Sequence, residues 1–204
     1  MDNPSRFTKT QVGLFHAKIA GSHCTANEHW GVVNSKAPWS LWRINTFLRR
    51  KAISAGWNAK QLSPFHPIME LVLWLALPTN ILDGFWLFCP GNNLKKWVSS
   101  VSSYDIIKDV AKQVFEQLCS VCKVSKLRRL PDHDIPLENI ILFNRNALIL
   151  AVLTASIKQG DIGAVVNVLA HWMVMFRGSG KMPKYSDAIF RTIMDLKTMD
   201  PCLR

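Results

Sequence analysis

The chain has 204 residues, 49% of them hydrophobic and 19% charged, with 25 Lys and Arg against 14 Asp and Glu and a formal charge of +11. That apolar content supports a packed core and excludes a disordered tail, while the charge excess favours a polyanionic partner such as nucleic acid or an anionic membrane surface. Five cysteines, an odd number, behind an N-terminus without an apolar run and a small-residue cleavage site, argue for reduced thiols in cytoplasm or nucleus rather than a disulfide framework.

Helical periodicity dominates, and no two alternating runs meet at an Asn-Gly or Asp-Gly turn, so the fold reads as mostly α, a multi-helix globular domain. The first clear helix follows Ser40 as N-cap: Leu41, Ile44, Phe47 and Leu48 share a face opposite Arg43, Arg49, Arg50 and Lys51, with Gly56 just beyond the end. An apolar segment over 67–77 follows, which Pro78 is expected to stop, since proline removes an amide donor and its ring clashes with the preceding turn. Cys89, Pro90, Gly91, Asn92 and Asn93 read as a loop. The spacing of Ile107, Val110, Val114, Phe115, Leu118 and Val121 predicts an amphipathic helix over 104–122.

The polar stretch 123–136, with two prolines, reads as a linker between a basic, Trp-rich N-terminal part (1–122) and a C-terminal helical subdomain (137–204). Beyond it a long apolar helix over 137–158 ends at Gly160, and Asp161 is placed to cap the next. Ile162, Val165, Val168, Leu169 and Trp172 line one face of that helix, which runs into Phe176 and makes a tight helical hairpin with its predecessor. A further helix over 183–199 buries Ile189, Phe190, Ile193 and Leu196. Two apolar stretches approach membrane-span length, but Glu70, Pro78 and Asp83 interrupt the first and Arg145 the second, so both are expected to be core helices and no membrane span is expected.

Chemistry-bearing motifs are few. The Gly178-Ser179-Gly180-Lys181 run is not a P-loop: the position five before Gly180 is Met175, Met182 follows Lys181, and a helix precedes it where a strand is needed. It reads as a turn that closes one helix and lets Pro183 open the next, with Arg177, Lys181 and Lys184 beside amides that could meet a backbone phosphate. Cys119 and Cys122 fall on one side of the 104–122 helix and read as packing residues rather than zinc ligands. Asp132, His133 and Asp134, flanked by Pro131 and Pro136, read as turn formers. No catalytic constellation, metal site or cofactor loop is present in the sequence. Eight tryptophans are many, and Trp39, Trp42 and Trp57 interleave with Arg43, Arg49, Arg50, Lys51 and Lys60 as stacking and phosphate-neutralising residues do. Arg128 and Arg129 add a second basic cluster.

The second half resembles a known family. Arg145-Asn146-Ala147, then Gly160-Asp161-Ile162-Gly163, then Trp172, Phe176, Gly178, Gly180, Lys181, Lys184 and Tyr185 are similar to the pattern of fungal, chiefly basidiomycete, proteins grouped as domain of unknown function 6589, and Gly13 to Ala20 match a histidine-containing helix start in the same group. The resemblance implies no established activity. It implies descent from mobile elements and a truncated member, lacking acidic motifs expected on either side. The resulting expectation is a noncatalytic chain that binds nucleic acid without sequence preference. The alternatives are a helical module for a protein partner or a second copy, and a degenerate metal-dependent nuclease or transposase.

Overall fold

A computed structural model describes residues 13–34, 37, 39–51, 53 and 65–198. Among them every regular element is helical, as the periodicity predicts: α1 Leu14–His29, α2 Leu41–Phe47, α3 Phe65–Phe88, α4 Leu94–Ser100, α5 Tyr104–Leu118, α6 Val121–Leu127, α7 Ile135–Gln159, α8 Ile162–Gly178 and α9 Pro183–Thr198. A 3₁₀ turn, Pro90–Asn92, joins α3 to α4. Polar caps start the helices, because the first amides of a helix have no partner within it. The Ser40 hydroxyl accepts from the Arg43 amide at 3.1 Å, the Asp134 carboxylate from Leu137 at 2.9 Å, and the Asp161 carboxylate from Ala164 at 2.9 Å.

Three helices depart from their predicted lengths. Pro78 does not stop α3. Over Glu70–Ala76 the helix widens to a π turn, in which the Leu77 amide bonds to the Val72 carbonyl, five residues back. The proline then falls in the first turn of the restarted segment Leu77–Phe88, where its missing donor and fixed φ are tolerated. The 104–122 helix breaks at Cys119, whose φ is −136°, and Ser120 caps the separate α6. Cys119 and Cys122 therefore do not share one side of a helix: the first is buried and the second exposed. Finally, α2 ends at Phe47, well short of the expected end just before Gly56, and Arg49 turns left-handed, φ +50°. Gly56 lies outside the described residues.

The chain divides into two units, Met1–Cys24 with Leu150–Arg204, and Thr25–Ile149. In the first, Trp172 and Phe176 of α8 are wholly buried with ring centroids 5.8 Å apart, and Tyr185 of α9 meets Phe176 at 6.3 Å. Gly21 of α1 is there because nothing larger fits: a Cβ would stand 2.1 Å from the Trp172 indole. The Ser186 hydroxyl ties α9 to α8 by donating to the Met173 carbonyl at 2.8 Å. Phe190, expected in the core, is instead exposed.

In the second unit Cys89, Trp97, Val110, Val114, Leu118 and Cys119 form one buried cluster, with Phe85 against Trp97. Gly84 lets α5 approach α3, since a Cβ there would lie 2.8 Å from Val114. Asn144 of α7 is fully buried yet satisfied, donating to the Leu118 carbonyl at 3.1 Å and accepting from Asn80 at 2.8 Å. By length and apolar composition α3 and α7 would each suffice to cross a membrane, but α7 commits Ile141, Phe143, Ala147, Leu150 and Leu153 to buried packing.

Candidate nucleic-acid interface

The interface begins with two local reversals of the chain. Gly31 takes φ +78°, and a side chain at that position would meet the Ser40 Cβ at 2.5 Å, so the backbone turns back closely enough for the Trp42 amide to bond to the Trp30 carbonyl at 3.0 Å. That bond brings the two residues together at the start of α2, and both line one cavity. At the other end of α2 the left-handed Arg49 returns the chain on itself: the Arg50 amide donates to the Asn45 carbonyl at 3.1 Å, and the Asn45 side-chain Nδ2 donates to the Lys51 carbonyl at 3.2 Å. The guanidinium of Arg50 then reaches α3, where Nη2 meets Glu70 Oε2 at 2.6 Å. This bond raises the Arg50 pKa and holds the Glu70 carboxyl below its ordinary range.

These constraints enclose a cavity of about 340 Å³ lined by Trp30, Trp42, Asn45, Thr46, Arg49, Arg50 and Ile53. Two of the lining residues carry buried polar atoms with no hydrogen-bond partner among the described residues, Asn45 Oδ1 and Arg50 Nε. The Thr46 hydroxyl is spent on the Trp42 carbonyl at 2.8 Å.

The predicted contact residues separate into groups. Trp42, Arg49 and Arg50 come together at the cavity. Arg43 lines a neighbouring groove of about 450 Å³ with Ile44, Phe47, Leu48 and Leu75. Lys51 is exposed, and Trp39 is half-buried away from the cavity lining. Trp57 and Lys60 lie outside the described residues. Arg128 and Arg129 are both exposed, but Arg128 is paired, its Nε donating to Glu138 Oε1 at 2.8 Å, with the His133 ring 3.4 Å from the other oxygen.

In the other unit Arg177 pairs with Asp187 at 3.3 Å. The turn at 178–181 uses its own amides: Ser179 donates to Met175, Gly180 to Arg177 and Lys181 to the Ser179 hydroxyl, at 2.9, 3.2 and 3.4 Å. The amides expected beside a phosphate are thus engaged within the turn. Lys181 and Lys184 remain exposed side chains. Gly180 needs its φ of +67°, as Gly160 needs +71°, whereas Gly178 is helical and a Cβ on Gly163 would make only ordinary contact at 3.5 Å.

Among the described residues no three His, Cys, Asp or Glu side chains are grouped to hold a metal ion. Burial pushes the Cys119 thiol up to about 11 and the His29 ring down to about 4. The neutral His29 imidazole packs edge-on against Phe143 with ring centroids 5.4 Å apart.

Sequence reasoning missed Trp30, Asn45, Ile53 and Glu70. Trp30 carries a usable signal, the Gly31 that follows it, because a Trp-Gly pair marks a bulky ring at a reversal. Glu70 carries none, being 20 residues from the arginine it anchors.

A family model described as "Family of unknown function (DUF6589)" matches residues 2–204. No curated protein and no solved structure matches the chain.

Proposed function

The chain belongs to the family of unknown function DUF6589, and for this member we propose a noncatalytic role, the binding of nucleic acid without sequence preference through the surface around α2. The observation that carries the reading is that Arg43, Arg49 and Lys51 are all exposed on the residues that flank two half-buried indoles, in a chain of formal charge +11. Exposed cations neutralise phosphates and release counterions, and neighbouring rings offer faces to unpaired bases. Three other candidate arginines contribute less, because Arg50, Arg128 and Arg177 each answer a carboxylate of the chain itself. The resemblance to fungal mobile-element proteins supports the same reading, since such proteins work on nucleic acid.

The test is fluorescence anisotropy of labelled single-stranded and duplex oligonucleotides across a salt series. Binding is expected to fall linearly in log salt, and replacing Arg43, Arg49 and Lys51 together by Ala should flatten the single-strand slope by about 0.7 for each phosphate that those side chains neutralise. Arg128→Ala and Arg177→Ala should leave the slope unchanged. No binding at low salt by folded protein overturns the proposal.

A second reading, association with another copy, is favoured by the exposed stripe Trp74, Leu82 and Trp86 on α3. It predicts a mass that rises with protein concentration.

A further inference from the structure

The cavity between Trp30 and Trp42 is more than part of a charged surface. We infer that it seats a single unpaired nucleobase, with Arg49 beside it for the attached phosphate; the inference rests on the nucleic-acid reading above and names the feature of the ligand that the site takes. Its volume, about 340 Å³, lies at the small end of cavities that hold ligands and is large enough for one base with its sugar. Two indoles line it, and an indole face stacks on any base.

The polar groups narrow the class further. Asn45 Oδ1 is an acceptor and Arg50 Nε–H a donor, and both are buried without a partner among the described residues, an unfavourable condition for each group. Their other atoms are anchored: Asn45 Nδ2 on the Lys51 carbonyl and Arg50 Nη2 on Glu70. Neither idle atom is reached by solvent, and because the amide and the guanidinium are rigid planes, turning either toward the cavity exchanges the anchor to Lys51 or Glu70 for a bond to the ligand. A ligand that draws both out gains a buried acceptor and a buried donor together. Every nucleobase presents a donor next to an acceptor on one edge: an amino group beside a ring nitrogen in adenine and cytosine, a ring N–H beside a carbonyl in guanine and uracil or thymine. A lone phosphate offers acceptors only, and would set its charge against Asn45 Oδ1. An apolar ligand answers neither group. A peptide amide carries the same donor and acceptor, but the exposed Arg49 at the rim favours a ligand with an attached anion.

The base can come from a free nucleotide or from an unpaired strand, and the experiment separates the two. The full chain and its Trp42→Ala and Trp42→Phe variants are titrated with adenosine monophosphate by calorimetry, and with a labelled 12-nucleotide oligothymidylate and a labelled duplex by anisotropy. For a strand, Trp42→Ala should weaken oligothymidylate binding roughly 5- to 150-fold, the loss of one stacked base, and leave duplex affinity and the salt slope unchanged. Trp42→Phe, which keeps an aromatic face, should stay within a few-fold of the parent and serves if Trp42→Ala does not fold. Binding of adenosine monophosphate that Trp42→Ala abolishes, with no oligonucleotide binding, keeps the cavity as a nucleotide seat and rejects the strand-binding function. Equal losses on single strand and duplex, or unchanged oligothymidylate affinity in a Trp42→Ala protein that melts as the parent does, overturn the cavity and leave the basic surface standing. A parent chain that binds none of the three probes overturns both.

Discussion

The helical hairpin of α8 and α9 and the reversal around α2 use the same residue types to opposite ends. In the hairpin unit Trp172 is fully buried, pressed on one side by Gly21 and on another by Phe176, so its ring is consumed by packing. Around α2, Trp30 and Trp42 are only half-buried and border open space. Arginine repeats the contrast. Arg177 meets Asp187 out in solvent, where an ion pair contributes little, whereas Arg50 is held by Glu70 with its Nε left idle beneath the surface. Neither an indole nor a guanidinium marks a binding site by its identity, and neither does an unspent polar atom, since the buried Trp172 Nε1 also has no hydrogen-bond partner among the described residues; what sets Trp42 and Arg50 apart is that they line a cavity.

The strongest response should come from cutting the two indoles back. Trp172→Ala removes a fully enclosed side chain and is expected to cost about 3–5 kcal/mol, which at roughly 2–4 °C for each kcal/mol is a fall in melting temperature visible in any calorimeter. Trp42→Ala should cost less than half as much. Equal losses would erase the distinction between a packed ring and a bordering one.

Acid should probe the unit that carries the cavity. The His29 ring is pushed down to about 4 by burial, against an ordinary value near 6.5, and the Asn146 Nδ2 donor 3.0 Å from its Nε2 requires that nitrogen to be unprotonated. The unfolded chain therefore takes up a proton that the folded one resists. Stability from the neutral ring is complete above about pH 6.5 and is lost as pH falls toward 4, by up to about 1.4 kcal/mol for each pH unit. Denaturant unfolding at pH 7 and pH 5 measures the slope. His23, in the other unit and also lowered by burial, acts in the same direction. A His29→Gln variant should lose one proton's worth of that slope; if the slope persists undiminished, the hairpin unit and not the cavity unit is the acid-sensitive part.

The weakest response belongs to the connector that leads into the hairpin. Asp161→Ala removes the acceptor of the Ala164 amide and should cost about 0.5–2 kcal/mol, with no change in nucleic-acid affinity. Lost binding in a variant that melts like the parent would give that residue a role beyond capping.

Much of the architecture was legible because it is made of short-range interactions. The caps at Ser40 and Asp161, the end of α7 at Gly160 and the opening of α9 at Pro183 each depend on residues three or four positions apart, and the helical periods of α5 and α8 repeat over a few turns. The misreadings occurred where something outside the local pattern decided the outcome. Proline normally ends a helix, but the π turn ahead of Pro78 shifted the ladder before the ring arrived. The 104–122 period ran smoothly across Cys119, yet the chain breaks there and starts again from Ser120. The candidate site was half legible: Trp42, Arg49 and Arg50 stand in the basic aromatic segment, and charge patterning finds them.

Local pattern and composition are therefore enough for the all-helical fold, most of the caps and turns and the excess of positive charge, and the resemblance of its motifs is enough for the family. Packing in three dimensions settled the rest: which cations face solvent and which answer a carboxylate, and which indoles are core and which border a cavity. The reason is distance along the chain. Arg50 to Glu70 and Arg128 to Glu138 are pairings 20 and 10 residues apart, and Trp30 meets Trp42 across a reversal at Gly31. No period of 3.6 residues encodes them, because they form only after the helices have packed.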